Sequence, residues 1–291
     1  MSPYPPVRNQ LAKYVFKIKY NPDGTIEKYK VRLVAQGFLQ QEGTDYNEIF
    51  EPVVDSTSIS LLLAIANHEN WEMEQMDVVT AFLHGKLEEE VFMKIPPYMN
   101  IPNSESKVLK LKGALYGLKQ SSNVWGRTFE KFMLKSGFKH DFVMCVMDTC
   151  IYTRGTGQSR IILGIHVDDQ AIIGPNEMVI KQFKEELATE FKMKDLGALT
   201  HILGVEVKRD RQNKVLTLHQ ASYVRQVLER YGMQDCNPTR LPFTPNLTFD
   251  QEDDLAQTPD PEIVTDFRAN IGSLIYAMKQ TRMDICYPIG I

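Results

Sequence analysis

The stretch "ILGIHVDDQAIIG", Ile162 to Gly174, decides how the rest of the chain is read. Two adjacent carboxylates, Asp168 and Asp169, stand between two apolar runs. Neighbouring residues on a strand point to opposite faces, but at a turn they can converge. Two anions held close in a partly dry site repel strongly unless a cation lies between them. Hard oxygen donors favour Mg²⁺ in that role. The alternative is a polar Asp-Asp hairpin turn in water, where the charges cost little. The apolar flanks set the pair against a core. A third acid, Asp77, closes "WEMEQMDVV" (71–79) in a similar setting. Three carboxylates on two neighbouring strands would form an oxygen cage for two metal ions, which suits phosphoryl or nucleotidyl transfer.

The chain of 291 residues is long enough for one large domain or two to three small ones. With 43% hydrophobic and 24% charged residues it has a globular rather than a disordered composition. No apolar run reaches the roughly 20 residues that cross a bilayer, and the N-terminus lacks the apolar core of a signal peptide. Cys145, Cys150, Cys236 and Cys286 match neither a zinc pattern nor a disulfide framework. These features lead us to expect an intracellular, reduced protein. The net charge of -4 hides an uneven distribution. Arg8, Lys13, Lys17, Lys19, Lys28, Lys30 and Arg32 crowd the front, opposed only by Asp23 and Glu27. Residues 250–266 carry acids and no base. Such a distribution suggests that only the front meets a polyanion, although charge alone favours the plainer reading of a solvated charged surface.

"YVFKIKY", the turn "NPDG" and "TIEKYKVRLVAQGF" read as a hairpin with a basic face. "SISLLLAIANHEN" has helical spacing, "WEMEQMDVV" reads as a strand, and "TAFLHGKLEEE" as a turn or helix. "EVFMKIPP" and "KVLKLKGALYG" read as strands, and "SSNVWGRTFEKFMLKSG" as a helix stopped by Gly137. "DTCIYTR" and "RIILGIHVDDQAIIG" read as two strands joined at "GTGQS". "NEMVIKQFKEELATEFKMKDLG" reads as a helix with Phe183, Leu187 and Phe191 in step. "ILGVEVKRDRQNKVLTLHQ" reads as a hairpin and "SYVRQVLERYGM" as a helix. A Pro- and acid-rich linker follows, then a last helix from near Ile263. Hairpins outnumber strand-helix-strand units, so an α+β fold is expected.

Several blocks, in order, resemble the reverse transcriptase domain of Ty1/copia-type LTR retrotransposon polyproteins. They are "FKIKYNPDGTIEKYKVRLVAQGF", "QMDVVTAFLHGKLEEEVFMKIPP", "LKGALYGLKQSSNVW", "HVDDQAIIG", "FKMKDLGALTHILGVEVKRD" and "SYVRQVLERYGM". The resemblance runs from about Tyr14 to Ile289. It implies a right-hand polymerase of fingers, palm and thumb, with an antiparallel palm sheet backed by helices. Residues 1–11 lie outside it. Residues 12–60 would be fingers lacking their N-terminal part, 61–175 palm with an interleaved fingers segment, and 176–245 thumb-like helices and a hairpin. Residues 246–266 would be an acidic, Pro-rich linker, and 267–291 the start of a connection toward an RNase H region. The chain then reads as a piece of a longer polyprotein, without its RNase H, integrase and protease segments.

The implied activity is RNA-directed DNA synthesis with Mg²⁺, for which Mn²⁺ can substitute, on an RNA template with a DNA primer and dNTPs. By the matching motifs Asp77, Asp168 and Asp169 would be catalytic and hold metal, with the backbone of Val78 beside them. Phe82 would lie under the incoming sugar and exclude a 2′-hydroxyl, unless it is simply core. Arg32, Lys19 and Lys17 would clamp the triphosphate, and Lys119 and Gln120 would line the nucleotide or template pocket. Tyr116 and Trp125 read as core more than as stacking platforms. His166 stands where the family carries an aromatic and would touch the primer. Gln170 stands where the family carries an apolar residue, so its side chain must find a partner or reach water. The resemblance also implies a cytoplasmic virus-like particle and no membrane. The alternative reading is an inactive remnant that at most binds primer-template nucleic acid.

Overall fold

The computed structural model describes residues 11–20, 25–49, 52–102, 107–135, 143–243 and 260–290. The chain divides into two compact units, Met1–Ala198 and Leu199–Ile291. In the first, β1 (Ala12–Tyr20) and β2 (Ile26–Ala35) pair antiparallel as the alternating pattern predicts. Lys17 stands opposite Lys30 and Lys19 opposite Lys28. The cationic positions therefore share one face, and Tyr14, Phe16, Tyr29 and Val31 share the other. The "NPDG" turn between the strands lies outside the described residues.

α1 (Ser56–His68) begins where the Asp55 carboxylate accepts the Thr57 amide at 2.7 Å. It buries Ile59, Leu62, Leu63 and Ala66, one stripe at helical spacing. β3 (Glu72–Val78) follows, then a 3-10 turn over Ala81–His84. β4 (Phe92–Lys94) and β5 (Val108–Lys110) make a small ribbon. The unit ends with α2 (Ser121–Lys135), β6 (Val143–Met144), β7 (Ile151–Arg154), β8 (Ile161–His166), β9 (Asp169–Gly174), α3 (Glu177–Glu190) and β10 (Met193–Ala198). The expected end of α2 at Gly137 lies outside the described residues.

Six of these strands form one sheet in the order β10-β3-β9-β8-β7-β6, antiparallel throughout. The architecture is α+β, as expected. Two local readings are corrected. The run from Arg160 to Gly174 is not one strand; it turns back at Val167 and Asp168, so β8 and β9 are a hairpin. "KMKDLG" does not continue the helix; it is β10 and pairs with β3. An apolar periodicity cannot show where a strand partner will capture the chain.

One face of the sheet packs Met76, Val78, Ile161, Leu163, Ile165 and Ile172 against Trp125 and Phe129 of α2 and Ile180, Phe183 and Leu187 of α3. On the other face Ile59 of α1 lies close over Gly164: a Cβ there would sit 2.8 Å from the Ile59 Cδ1. The helical face also holds a buried cation. Lys184 of α3 bonds Glu74 of β3 and, at 2.6 Å, Asp195 of β10.

The second unit contains β11 (His201–Ile202), β12 (Val205–Asp210) and β13 (Val215–His219) in one antiparallel sheet. Its helices are α4 (Ala221–Arg230), α5 (Pro261–Gln280) and α6 (Cys286–Gly290). The Tyr276 hydroxyl donates to the Leu203 carbonyl at 2.7 Å, and Tyr223 donates to Ser273 at 3.0 Å, which ties α5 to both sheet and α4. Most of the acidic, Pro-rich linker lies outside the described residues. Among the described residues no helix is long and apolar enough to cross a membrane.

Lys184 yields a test of what holds α3 to the sheet. Burial alone would lower its pKa, but its bonds to Asp195 and Glu74 outweigh this and raise it. Burial likewise pushes Asp195 up, and the Lys184 and Gly197 bonds bring it down below the ordinary value. The raised lysine contributes stability below its unfolded pKa, lost as pH rises through the folded one. The depressed aspartate contributes stability above its unfolded pKa, lost as pH falls through the folded one. Lys184→Met should therefore cost about 2 kcal/mol at neutral pH, since it strands a half-buried Glu74. In urea titrations the difference from wild type should narrow below about pH 4 and at strongly alkaline pH.

Candidate active site

Asp77 lies next to the last residue of β3, and Asp169 opens β9; the register makes them direct partners. Asp168 occupies the two-residue turn before β9, and its carbonyl accepts the Val78 amide at 2.8 Å. The three half-buried carboxylate residues thus meet at one end of the sheet. Pairing accounts for Asp77 and Asp169, and the turn for Asp168. Gln75, two residues before Asp77 on the same face, hydrogen-bonds Asp169. The i, i+2 spacing within β3 was the available signal for that residue.

The electrostatics follow from this crowding. Burial raises the Asp169 pKa above the ordinary carboxylate value, and the charges of Asp168 and Asp77 raise it further. His166 and Gln75 act in the opposite direction. The donor set, three mutually repelling hard-oxygen groups, fits a divalent cation. As the side chains stand, no group of three or more His, Cys, Asp or Glu among the described residues could hold a metal ion. The chemistry of the three carboxylates matches a divalent metal. A raised folded pKa means stability that is present below the unfolded pKa and lost as pH rises through the folded one. Without divalent metal, Asp169→Asn should therefore raise the melting temperature at neutral pH and flatten the loss of stability above the carboxylate range. A lower melting temperature would contradict this account of the cluster.

An aromatic and basic cluster centred on Tyr116 adjoins the acids. Phe82, in the 3-10 turn after β3, is half-buried, and its ring centroid lies 4.8 Å from that of Tyr116. The Arg32 guanidinium of β2 lies over the Tyr116 ring at 5.5 Å. Burial, then Asp168, raises the Tyr116 pKa; Arg32 lowers it. Tyr116 is thus more than core: it stands between the basic hairpin, Phe82 and the carboxylates. Its neighbour Gly117 has φ +89°, and a Cβ there would meet the Ala35 carbonyl at 2.1 Å. With the Ala35 amide bonded to the Tyr116 carbonyl at 2.8 Å, "LYGLKQ" is fastened to the base of the hairpin.

The remaining expected residues are placed as follows. Lys17 is exposed on β1, and Lys19 is known by its register alone. Lys119 is exposed, and its amide donates to Gln40 at 2.7 Å. Gln120 is buried; its amide accepts from Gln40 at 2.9 Å and donates to the Asp45 carbonyl at 3.1 Å. It lines a cavity of about 860 Å³ along α2, with Asn123, Arg127 and Lys131, which includes none of the three aspartates. His166 ends β8 opposite Asp169. Trp125 is fully buried, and its indole N–H donates to the Val167 carbonyl at 2.7 Å.

Gln170 departs from the expectation that it finds a partner or water. It is 0% exposed, and neither side-chain polar atom has a hydrogen-bond partner among the described residues. Its register partners are Met76 and Ile165, so its amide enters the apolar core beneath the Val167–Asp168 turn. A buried polar group without a partner costs about 1–3 kcal/mol. Gln170→Met, close in volume, should therefore raise stability by about 1–2 kcal/mol in chemical unfolding. A loss of stability would show that the amide is satisfied in solution.

The family described as Reverse transcriptase (RNA-dependent DNA polymerase) matches residues 5–245. The chain belongs to this reverse transcriptase family. The retrovirus-related Pol polyprotein from transposon TNT 1-94 of Nicotiana tabacum is 37% identical over 290 residues, 96% of this chain and 21% of the relative. The corresponding polyprotein from transposon RE2 of Arabidopsis thaliana is 36% identical, over 99% of this chain and 19% of the relative. The putative transposon Ty5-1 protein of Saccharomyces cerevisiae is 28% identical over 219 residues, 74% of this chain and 67% of that protein. The chain spans about a fifth of the length of the two plant polyproteins. The resemblance to reverse transcriptases of retrotransposon polyproteins is thereby borne out, and members of this family are in general dependent on a divalent metal.

Proposed function

We propose that the chain is an RNA-directed DNA polymerase domain acting on an RNA template, a DNA primer and dNTPs. The observation that carries the reading is the pairing of Asp77 with Asp169, with Asp168 in the adjoining turn, inside a chain of the reverse transcriptase family. The primer 3′-hydroxyl gives up its proton to water as its oxygen attacks the α-phosphorus of the dNTP, the bond from that phosphorus to the oxygen bridging to the β-phosphate breaks, and pyrophosphate leaves. Asp77, Asp168 and Asp169 are the residues that would hold divalent metal, Mg²⁺ or in its place Mn²⁺, with the Val78 backbone alongside. Bound there, it would supply charge neutralisation and Lewis acidity at the reacting phosphate.

The chain's own groups divide the rest. The Phe82 ring, backed by Tyr116, bars a ribose 2′-hydroxyl. Arg32, Lys17 and Lys19 on the basic face meet the triphosphate. Lys119 and Gln120 border the nucleotide or template, and His166 the primer end. The template needs no base-reading side chain, because pairing carries the sequence and the protein holds backbone and shape. In this reading the β1–β2 hairpin belongs to the fingers of a right hand, the six-stranded sheet is its palm, and the hairpin and helices beyond it are thumb-like. The setting would be a cytoplasmic particle, with RNase H, integrase and protease functions supplied by other segments of a polyprotein.

The test is extension of a labelled DNA primer on an RNA template by the purified chain, with Mg²⁺ or Mn²⁺. Synthesis is expected, and Asp77→Asn or Asp168→Asn should reduce it by about a thousand-fold or more without unfolding the chain. Folded protein that binds primer-template in a salt-dependent way but extends nothing under either metal would favour the inactive remnant instead.

A further inference from the structure

We infer that Trp125 is a positioning residue that locks the peptide carrying Asp168, an inference resting on the catalytic reading of that aspartate. Val167 has φ +56°. A β-branched residue rarely adopts that conformation, and strain of this kind persists only where the surroundings impose it. Asp168 is not among the residues with positive φ. A two-residue turn with positive φ only at its first central position matches type II′, whereas type I′ has positive φ at both. The two types interconvert by flipping the central peptide, which here joins the Val167 carbonyl to the Asp168 amide. That flip would change φ at Asp168 and swing its carboxylate away from its present direction.

The Val167 carbonyl is the group that Trp125 holds, at 2.7 Å. The indole has no freedom to turn away. It is 0% exposed and packed against His84, Phe129 and Phe191, with ring centroids 6.0, 5.5 and 5.2 Å away. Two other backbone groups of the turn are tied elsewhere. The Val167 amide donates to the Pro52 carbonyl at 3.0 Å, and the Asp168 carbonyl accepts the Val78 amide at 2.8 Å. Among these bonds, the one from Trp125 alone fixes the central peptide. The hydrophobic core thus reaches the active site through one donor, and α2 sets the direction of Asp168.

Trp125→Phe keeps a buried ring and removes the donor. Phe129→Leu thins the same core one turn along α2 and leaves the donor in place. Amide hydrogen exchange is compared at Val167 and Val78, with Ile172 in the body of the sheet as reference. In Trp125→Phe the first two should exchange about tenfold faster relative to Ile172, and in Phe129→Leu the ratio should stay at the wild-type value. In primer extension Trp125→Phe should lower kcat by about tenfold with KM for dNTP within about twofold, and Phe129→Leu should not. Equal exchange ratios in the two variants, or an equal fall in kcat, would overturn the inference. A wild-type chain that makes no DNA would count against the polymerase reading alone, because the exchange experiment still decides whether Trp125 locks the turn.

Discussion

Three carboxylates held together at the end of one sheet repel one another, and the strand register leaves them no escape. Asp77 faces Asp169 because Met76 and Val78, its neighbours on β3, point the other way into the core. A slip of one residue would bury the acid and expose both apolar side chains. The repulsion is therefore opposed by apolar packing on both faces: α2 and α3 cover one, and α1 covers the body of the other away from the acids. Lys184 adds to the same end, since it fastens α3 to both β3 and β10. The stability of the sheet resides in its packed body, and the unfavourable charge resides at one end.

The surroundings of the acids are built by elements far apart in the chain. The hairpin brings Arg32, "LYGLKQ" brings Tyr116, and the turn after β3 brings Phe82, so one aromatic contact joins three segments. Gly117 permits this, because the loop lies against the Ala35 carbonyl with no room for a side chain. On the opposite side of the sheet, Gln170 places an unpaired amide in the apolar layer under the turn. Trp125 enters that layer too but spends its polar atom on the Val167 carbonyl. These two residues show the same physical rule with opposite outcomes: a polar group in the core stabilises only where a partner is in reach.

Much of the architecture was legible from local pattern. Strict alternation announced β1 and β2, and the stripe of Ile59, Leu62, Leu63 and Ala66 announced α1. The limits appeared where long-range pairing overrides local preference. "KMKDLG" continues a helical sequence yet becomes β10, because β3 has an edge to pair. In the Ile162–Gly174 stretch, apolar residues on both sides of the aspartates read as one strand, since each flank is buried. The reversal depends on Val167 adopting a positive φ, which its residue type disfavours and no sequence rule would assign.

The sequence by itself determined the family and the α+β class, and it singled out three aspartates as candidates, because ordered blocks of residues and their spacing survive in one dimension. Tertiary structure decided which of those residues meet. It set Asp77 against Asp169, brought the half-buried Tyr116 against Phe82 and Arg32, kept Trp125 in the core with its N–H on the Val167 carbonyl, and left Gln170 without a partner among the described residues. The physical reason is that partners in a sheet and donors from a core are chosen by packing between distant segments, and no local pattern of residues encodes that choice.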